Sequence, residues 1–235
     1  MIEDPRWKGI SLDGDIPVYA KDWRNDYSIW KWCRQPTLIS EDEQHSWIEK
    51  IYVSPYIKMF SIVHTPTNKT AEPFFVGVCG FTSISHISRN AEFSLYIAPE
   101  YQGRGFATKA LKLLLMHGFR DWNFKRIWGE VFEDNPAIEI FKKIGFVYEG
   151  TLRSSYWKQG RYIDSHMVSI LDTDWVEIQA KEPTIVDNEA NNGSKHTFRP
   201  FNPSRSNTVC PVIPIHPPKK NLPTQNEQGF EESDE

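Results

Sequence analysis

A mixed α/β sheet covered by helices on both faces is the fold this sequence predicts, and three observations predict it. Apolar, β-rich segments separated by turn material fill residues 56–98. A long amphipathic helical pattern follows from Gly105. Beyond it a strand, a short helix and further strands run to about residue 171. Strands joined by short turns pair antiparallel, while a strand–helix–strand unit brings its strands parallel, so the two halves together make a mixed sheet.

Each element has a local reason. "IPVYAKDW" (16–23) reads as a first strand, and "KDWRNDYSIWKWC" (21–33) and "SEDEQHSWIEKIY" (40–52) as two helices. The second helix opens with Ser40 and has Glu43 three residues on, the spacing of a capping box. "YIKMFSIVHT", "PFFVGVCGFTSIS" and "AEFSLYIA" are rich in β-branched and aromatic residues, and "TPTNKTAEP" and "HISRN" between them are turn material. In the long helix Ala107, Ala110, Leu111, Leu114 and Leu115 share a face, with Lys109, Lys112 and Arg120 on another. "RIWGEVF" is a strand, "NPAIEIFKKI" a short helix, and "GFVYEGTL" and "HMVSIL" two closing strands.

The composition bounds the rest. The chain has 235 residues, 39% of them hydrophobic and 14% aromatic, enough for one well-packed domain. A net charge of -4 speaks against a dedicated nucleic-acid binder, which needs a basic surface for phosphates. The start, "MIEDPRWKGI", has no apolar core of the signal-peptide kind, and "FFVGVCGF" is far short of the about 20 residues that cross a bilayer. Cys33, Cys79 and Cys210 are an odd set without CxxC spacing, so neither a disulfide framework nor a metal site is expected, and reducing cytoplasm is the expected setting. All nine tryptophans lie at or before Trp175, while half of the 16 prolines lie beyond Lys181. The sequence therefore divides into a folded domain, residues 1–178, and a Pro/Asn/Ser-rich tail, 179–235, too poor in apolar surface to offset its ordering entropy and expected to be disordered. "VCPVIPIHPP" within the tail reads as either a spacer or a docking segment.

The stretch "AEFSLYIAPEYQGRGFATKAL" (91–111) places a carboxylate, an apolar strand, a proline and a glycine turn ahead of the long helix. A helix start leaves backbone N–H groups unpaired and carries about half a positive charge. Glycines let a ligand approach that backbone closely, and together these features suit a phosphate. A Walker loop is excluded because Phe106 follows Gly105 where Lys-Ser or Lys-Thr would stand, and the dinucleotide fingerprint lacks its third glycine at Thr108.

Gln102-Gly103-Arg104-Gly105-Phe106-Ala107 resembles the Gln/Arg-x-x-Gly-x-Gly/Ala motif of the GNAT superfamily of N-acetyltransferases. "VFEDNPAIEIFKKIGF" is similar to that family's later strand, asparagine and short helix. "EGTLRSSYWKQGRYIDSHMVSIL" is similar to the closing stretch of the branch that includes ribosomal-protein alanine acetyltransferases. The resemblance covers residues 15–172 or so. It implies a central sheet splayed between two strands, and acetyl-CoA as cosubstrate. The pyrophosphate would be held by residues 102–108 (Gln102, Gly103, Arg104, Gly105, Phe106, Ala107, Thr108). The pantetheine arm would meet the backbone of Leu95, Tyr96 and Ile97 and the side chain of Asn135, which also reads as a helix cap.

Transfer to an amine needs a group to take the amine's proton, and Glu92 is the candidate base, with Glu130 on the adjoining strand second. Ser94 and Tyr96 are weaker candidates. The resemblance breaks at one place: many of these enzymes carry a tyrosine four residues before the Gly-Phe pair to protonate the leaving thiolate, and here Phe141 stands there, with the Asn-to-Gly spacing one residue short. The thiolate leaves unaided, or Tyr96, Tyr148 or Tyr156 substitutes, or the fold binds acyl-CoA without turnover. Lys142 and Lys143 read as solvated lysines or as contacts to the adenosine 3′-phosphate. By the resemblance the first two helices and the late hairpin shape the acceptor site. Trp23, Arg24, Asn25, Trp30, Trp32, Arg34, His45, Trp47, Tyr156, Trp157 and Arg161 there suit a flat, anionic acceptor such as an amino-sugar nucleotide, or are core. A protein N-terminus or side chain is the other acceptor class, and monomer and homodimer are both open.

Overall fold

In the computed structural model, which describes residues 1–68 and 70–181, eight strands form one sheet. They are β1 (Ile2–Glu3), β2 (Ile10–Asp13), β3 (Lys58–His64), β4 (Phe74–Ser85), β5 (Asn90–Ile97), β6 (Arg126–Phe132), β7 (Val147–Lys158) and β8 (Arg161–Leu171). The order is β1-β2-β3-β4-β5-β6-β8-β7, and every neighbouring pair is antiparallel except β5 with β6. The exception follows from α4 (Phe106–Arg120), which carries the chain from the end of β5 back across one face to the start of β6.

The sheet is covered on both faces, as the pattern predicts. Leu111, Leu114 and Phe119 of α4, Phe141 and Ile144 of α5 (Ala137–Ile144) and Trp175 of α6 (Asp172–Lys181) belong to the larger core, together with Phe93 and Ile97 of β5. Ala20 of α1 (Ala20–Asn25) and Ile51 of α3 (Glu41–Val53) form a second cluster with Ile16, Met59 and Val78, and Tyr96 packs against it. Strand alternation thus sends Phe93, Leu95 and Ile97 to one side and Tyr96 to the other. The capping box of α3 is formed: the Glu43 N–H donates to Ser40 Oγ at 3.2 Å and the Ser40 N–H to Glu43 Oε2 at 2.8 Å.

The sequence reading has no counterpart of β1 and β2, and four further segments differ from it. Residues 16–23 are not a strand: the N–H groups of Ala20, Lys21 and Asp22 donate back to the carbonyls of Pro17, Val18 and Tyr19, winding the chain into α1. Ile16, Ala20 and Trp23 recur at helical, not alternating, spacing, and that face is the one packed on the second cluster. The helix expected over 21–33 is interrupted at Asp26, whose backbone is extended and whose side chain accepts from the Ser28 N–H at 2.8 Å to start α2 (Tyr27–Trp30). The closing strands are far longer than their apolar cores because β7 and β8 continue as a polar hairpin around Gln159 and Gly160, both at positive φ. Helix α6, absent from the sequence reading, is set by Asp174, whose carboxylate accepts from the Leu171 N–H at 3.0 Å, and by buried Trp175. The tail beyond Lys181, and Cys210 with it, lies outside the described residues.

Gly80 sits where β4 meets β3, and a Cβ there would lie 2.2 Å from the Lys58 carbonyl oxygen and 2.6 Å from the Met59 Cα. Backbone cannot give way as a flexible side chain can. Gly80→Ala should therefore destabilise the domain by about 1–3 kcal/mol, read as a lower urea midpoint at constant slope.

Candidate active site

Strands β5 and β6 pair only at Asn90 with Arg126, Ala91 with Ile127 and Glu92 with Trp128, although β5 continues to Ile97 and β6 to Phe132. The ladder stops where the Phe93 ring enters: a Cβ on Gly129 would lie 2.3 Å from that ring, so Phe93 fills the space a side chain at 129 would occupy. Phe141 and Phe146 hold the ring from behind, each with centroids 5.0 Å away. On its other edge β5 stays bonded to β4. The Ala98 N–H donates to the Val76 carbonyl at 2.9 Å, so Tyr96 and Ser94, in the same phase, turn their backbone groups to β4, and Leu95 and Ile97 turn theirs to the gap. Gln102 Nε2 donates to the Ile97 carbonyl there at 3.1 Å.

At the end of the gap lies the mouth of α4. Gly103 and Gly105 have φ of +74° and +80°, a left-handed conformation that L side chains rarely adopt, and a Cβ on either would meet nothing within 4 Å. Gly105 is the N-cap residue and offers no side chain to the first-turn N–H groups. An open turn, unsatisfied donors and the positive helix end form an anion-binding concavity. Arg104 is exposed, its guanidinium 5.6 Å from the Tyr101 ring centroid. Asn135 Oδ1 accepts from the Ala137 N–H at 3.0 Å, so it caps α5, and its residue borders the same cleft.

The cleft is one cavity of about 750 Å³. It is lined by Leu95, Tyr96, Ile97, Gln102, Gly103, Gly105, Phe106, Ala107, Thr108 and Asn135 and by both predicted carboxylates. Of the predicted set, Arg104 does not line it.

Glu92 is 4% exposed. Its Oε2 accepts from Thr82 Oγ1 and from Ser83 Oγ, each at 3.2 Å, and its Oε1 from Arg34. Glu130 accepts from Tyr156 at 2.9 Å, from Ser165 at 2.5 Å and from Arg34 Nη1 at 3.4 Å. One guanidinium thus bridges two buried carboxylates. Burial opposes the charge on Arg34, but Glu92, Tyr156 and Glu130 outweigh it and raise its pKa above the ordinary value. The Tyr156 phenol is pushed up by burial and by its bond to Glu130.

Several alternative candidates lie elsewhere. His45 is exposed with Nδ1 against the Glu41 carbonyl at 2.9 Å, and Lys142 pairs with Glu139 at 2.8 Å on the surface of α5. Tyr148 bonds Thr151 at 2.6 Å and does not line the cavity. Phe141 does line it, 7% exposed. Among the described residues no group of three or more His, Cys, Asp or Glu is placed to hold a metal ion, and no helix is long and apolar enough to cross a membrane.

Residues 10–147 match the acetyltransferase (GNAT) domain family. The chain belongs to the GNAT acetyltransferases. It is 33% identical over 125 residues to spermidine N(1)-acetyltransferase of Escherichia coli K12, covering 49% of this chain and 67% of that protein. It is 27% identical over 163 residues to the ribosomal-protein-serine acetyltransferase of the same strain, covering 67% and 87%. Among solved structures, spermidine N-acetyltransferase from Vibrio cholerae in complex with CoA and spermine superposes with a TM-score of 0.65 at 26% identity, over 72% of this chain and 98% of that one. This GNAT protein is accordingly an acetyl-CoA-dependent N-acetyltransferase, and the open helix mouth leading into the gap of the sheet fits that cosubstrate.

The GNAT motifs pointed to the glycine turn and to Glu92, but not to the groups that fix the carboxylates. Thr82 and Ser83 come from β4, Ser165 from β8, and Lys158 acts from further away. Lys158 is buried at the end of β7 and donates to the carbonyls of Trp30 at 2.6 Å, of Gln35 at 3.3 Å and of Cys33, with its ammonium 4.1 Å from the Trp30 ring centroid. Burial pushes its pKa below the usual lysine range. It ties down the segment that carries Arg34, a role that no spacing rule encodes. Lys158→Met leaves those carbonyls without their donor. It should cost about 1–3 kcal/mol in urea unfolding and loosen Arg34 from Glu92.

Proposed function

We propose that this enzyme acetylates the primary amine of a small molecule, with Glu92 as proton acceptor and Glu130 holding the site beside it. The observation that carries the reading is the single cavity joining the uncapped mouth of α4, along the parted edge of β5, to the carboxylate pair. Acetyl-CoA supplies the acetyl group as a thioester with an electrophilic carbonyl carbon. Backbone N–H groups of Leu95 and Ile97, turned to the gap, are the donors this chain offers to the pantetheine arm and the carbonyl oxygen. The first-turn N–H groups of α4 and the turn at Gly103 and Gly105 receive the diphosphate, with Asn135 at the side of the arm.

An amine attacks only after losing its proton. Glu92, as it stands, is saturated by Arg34, Thr82 and Ser83. The Arg34 side chain is 46% exposed, and an incoming ammonium that takes its place at Glu92 exchanges one cation for another, after which the carboxylate accepts the proton directly or through a water. Phe141 has no proton to give. Tyr96 is the tyrosine whose hydroxyl is buried in the cavity wall without a protein partner.

Two of these relatives are named for spermidine and one for a ribosomal-protein serine, none for an amino-sugar nucleotide, and spermidine is taken as the reference acceptor. Release of CoA should depend on added amine. Acetyl-CoA binding with no release across amines would instead assign a non-catalytic acyl-CoA binder, and a mass shift confined to a protein terminus would assign a protein acetyltransferase. Glu92→Gln should lower kcat by about 10²–10⁴-fold while the Kd for acetyl-CoA holds, and unchanged kinetics would take Glu92 out of the mechanism.

Gly105→Val puts a β-branched residue at a φ of +80°, where no neighbour obstructs it but the backbone is strained. Calorimetric titration should show acetyl-CoA affinity reduced at least tenfold while kcat at saturation changes little.

A further inference from the structure

At the acceptor end, the side of the cavity formed by α1 and the 31–35 segment carries a second set of polar groups that proton removal from the amine does not use. Arg24 on α1 lines the cavity and makes no ion pair among the described residues; its guanidinium lies beside the Cys33 thiol. The hydroxyl of Tyr96 is buried in the same wall without a partner, and Arg24 is the cation nearest to it in effect. Buried hydroxyls are paired in the great majority of cases, so one left open in a cavity wall marks a place where a ligand atom sits. Burial pushes the Tyr96 phenol well above its ordinary pKa, so it stays protonated and donates. The carboxylates at this end are already spoken for: Glu92 and Glu130 take Arg34, Thr82, Ser83, Tyr156 and Ser165. A guanidinium without an ion pair and a lone phenol therefore line the cavity with donors and no free carboxylate, the one open acceptor on that wall being the neutral amide oxygen of Gln35 among the described residues.

We infer that Arg24 and Tyr96 form an anion subsite, and that the acceptor amine carries a carboxylate or phosphate which this pair binds. This rests on the acetyltransferase reading and narrows it. Glu92 and Tyr96 lie on one face of β5 about 13 Å apart along the strand, at about 3.3 Å per residue, so amine and anion are separated by several bonds. A polyamine whose one amine sits at Glu92 brings further cations toward Arg24 and finds no free carboxylate there among the described lining residues. A guanidinium binds carboxylate or phosphate through paired donors, which an ammonium cannot reproduce.

The test compares matched amines on the full chain with acetyl-CoA, following CoA release. Lysine against 1,5-diaminopentane isolates a carboxylate, glucosamine 6-phosphate against glucosamine isolates a phosphate, and spermidine is the polyamine arm. The anionic member of at least one pair should have a kcat/KM at least tenfold above its partner and above spermidine; which pair responds identifies the anion. Arg24→Gln should erase that preference, at least tenfold and chiefly through KM, Arg24→Lys should restore part of it, and Tyr96→Phe should reduce it less. Spermidine or the anion-free amines acetylated as fast as the anionic ones, or a preference that Arg24→Gln does not move, overturns the subsite and leaves acetyl transfer standing. If acetyl-CoA binds but no amine turns over, the Tm of the acetyl-CoA-loaded chain decides: equal Tm with both members of each pair overturns the subsite, and a rise confined to the anionic member and lost in Arg24→Gln supports it. No release and no effect of acetyl-CoA on Tm overturns the subsite and the proposed function together.

Discussion

Between Glu92 and Ile97 one strand is bonded along only one of its edges, and the rest of the site depends on that. A buried strand edge normally has to be paired, because an unpaired N–H or C=O away from water costs about as much as a lost hydrogen bond. Here β4 satisfies one edge while the other opens on a cavity. Phe93 keeps it open. Its ring takes the place that a side chain at Gly129 would fill, and the Phe141 and Phe146 rings prevent it from retreating. Gly129 is therefore as much part of the site as the glycines at the helix mouth, although it contacts no acceptor and carries no chemistry.

The same aromatic wedge gives a physical account of Phe141. At that place the resemblance to GNAT enzymes implies a tyrosine that donates a proton. In this chain the position is buried against Phe93 and Phe146. Its work is apolar packing that sets the width of the gap, with edge contacts of the kind aromatic pairs favour. A polar donor on the cavity wall is available from the opposite face of β5, at Tyr96, so loss of one hydroxyl does not leave the cavity without one.

What was legible in the sequence divides along the range of the interactions. The capping box at Ser40 and Glu43, the glycine turn and the amphipathic face of α4 are local, set by residues within a few positions, and the chain adopts them as the pattern predicts. The tryptophan-rich segment 16–33 misled because Ile16 and Val18 alternate for a few residues like a strand, while the longer recurrence through Ala20 and Trp23 belongs to a helix. The polar half of the β7–β8 hairpin hides its strands because no core face disciplines its residues. Arg34 meeting Glu92 and Glu130, and Lys158 gathering the carbonyls of Trp30, Cys33 and Gln35, join elements far apart in the chain. No periodicity announces contacts of that kind.

The division also decides how far kinship carries. The donor half of the site is built from backbone: a strand edge, a helix mouth and two residues in left-handed conformation. Those features belong to the fold, and it is the fold that the similarity over the GNAT region shows. The acceptor half is built from side chains on α1, the 31–35 segment and the ends of the strands, where one substitution reverses a charge without disturbing the sheet. Among the charged lining residues two arginines stand against two glutamates, and one of the arginines bridges both carboxylates. A site so balanced has no surplus of negative charge for a polycation. A resemblance in fold to enzymes named for spermidine therefore says more about how this protein holds its acetyl donor than about which amine it meets.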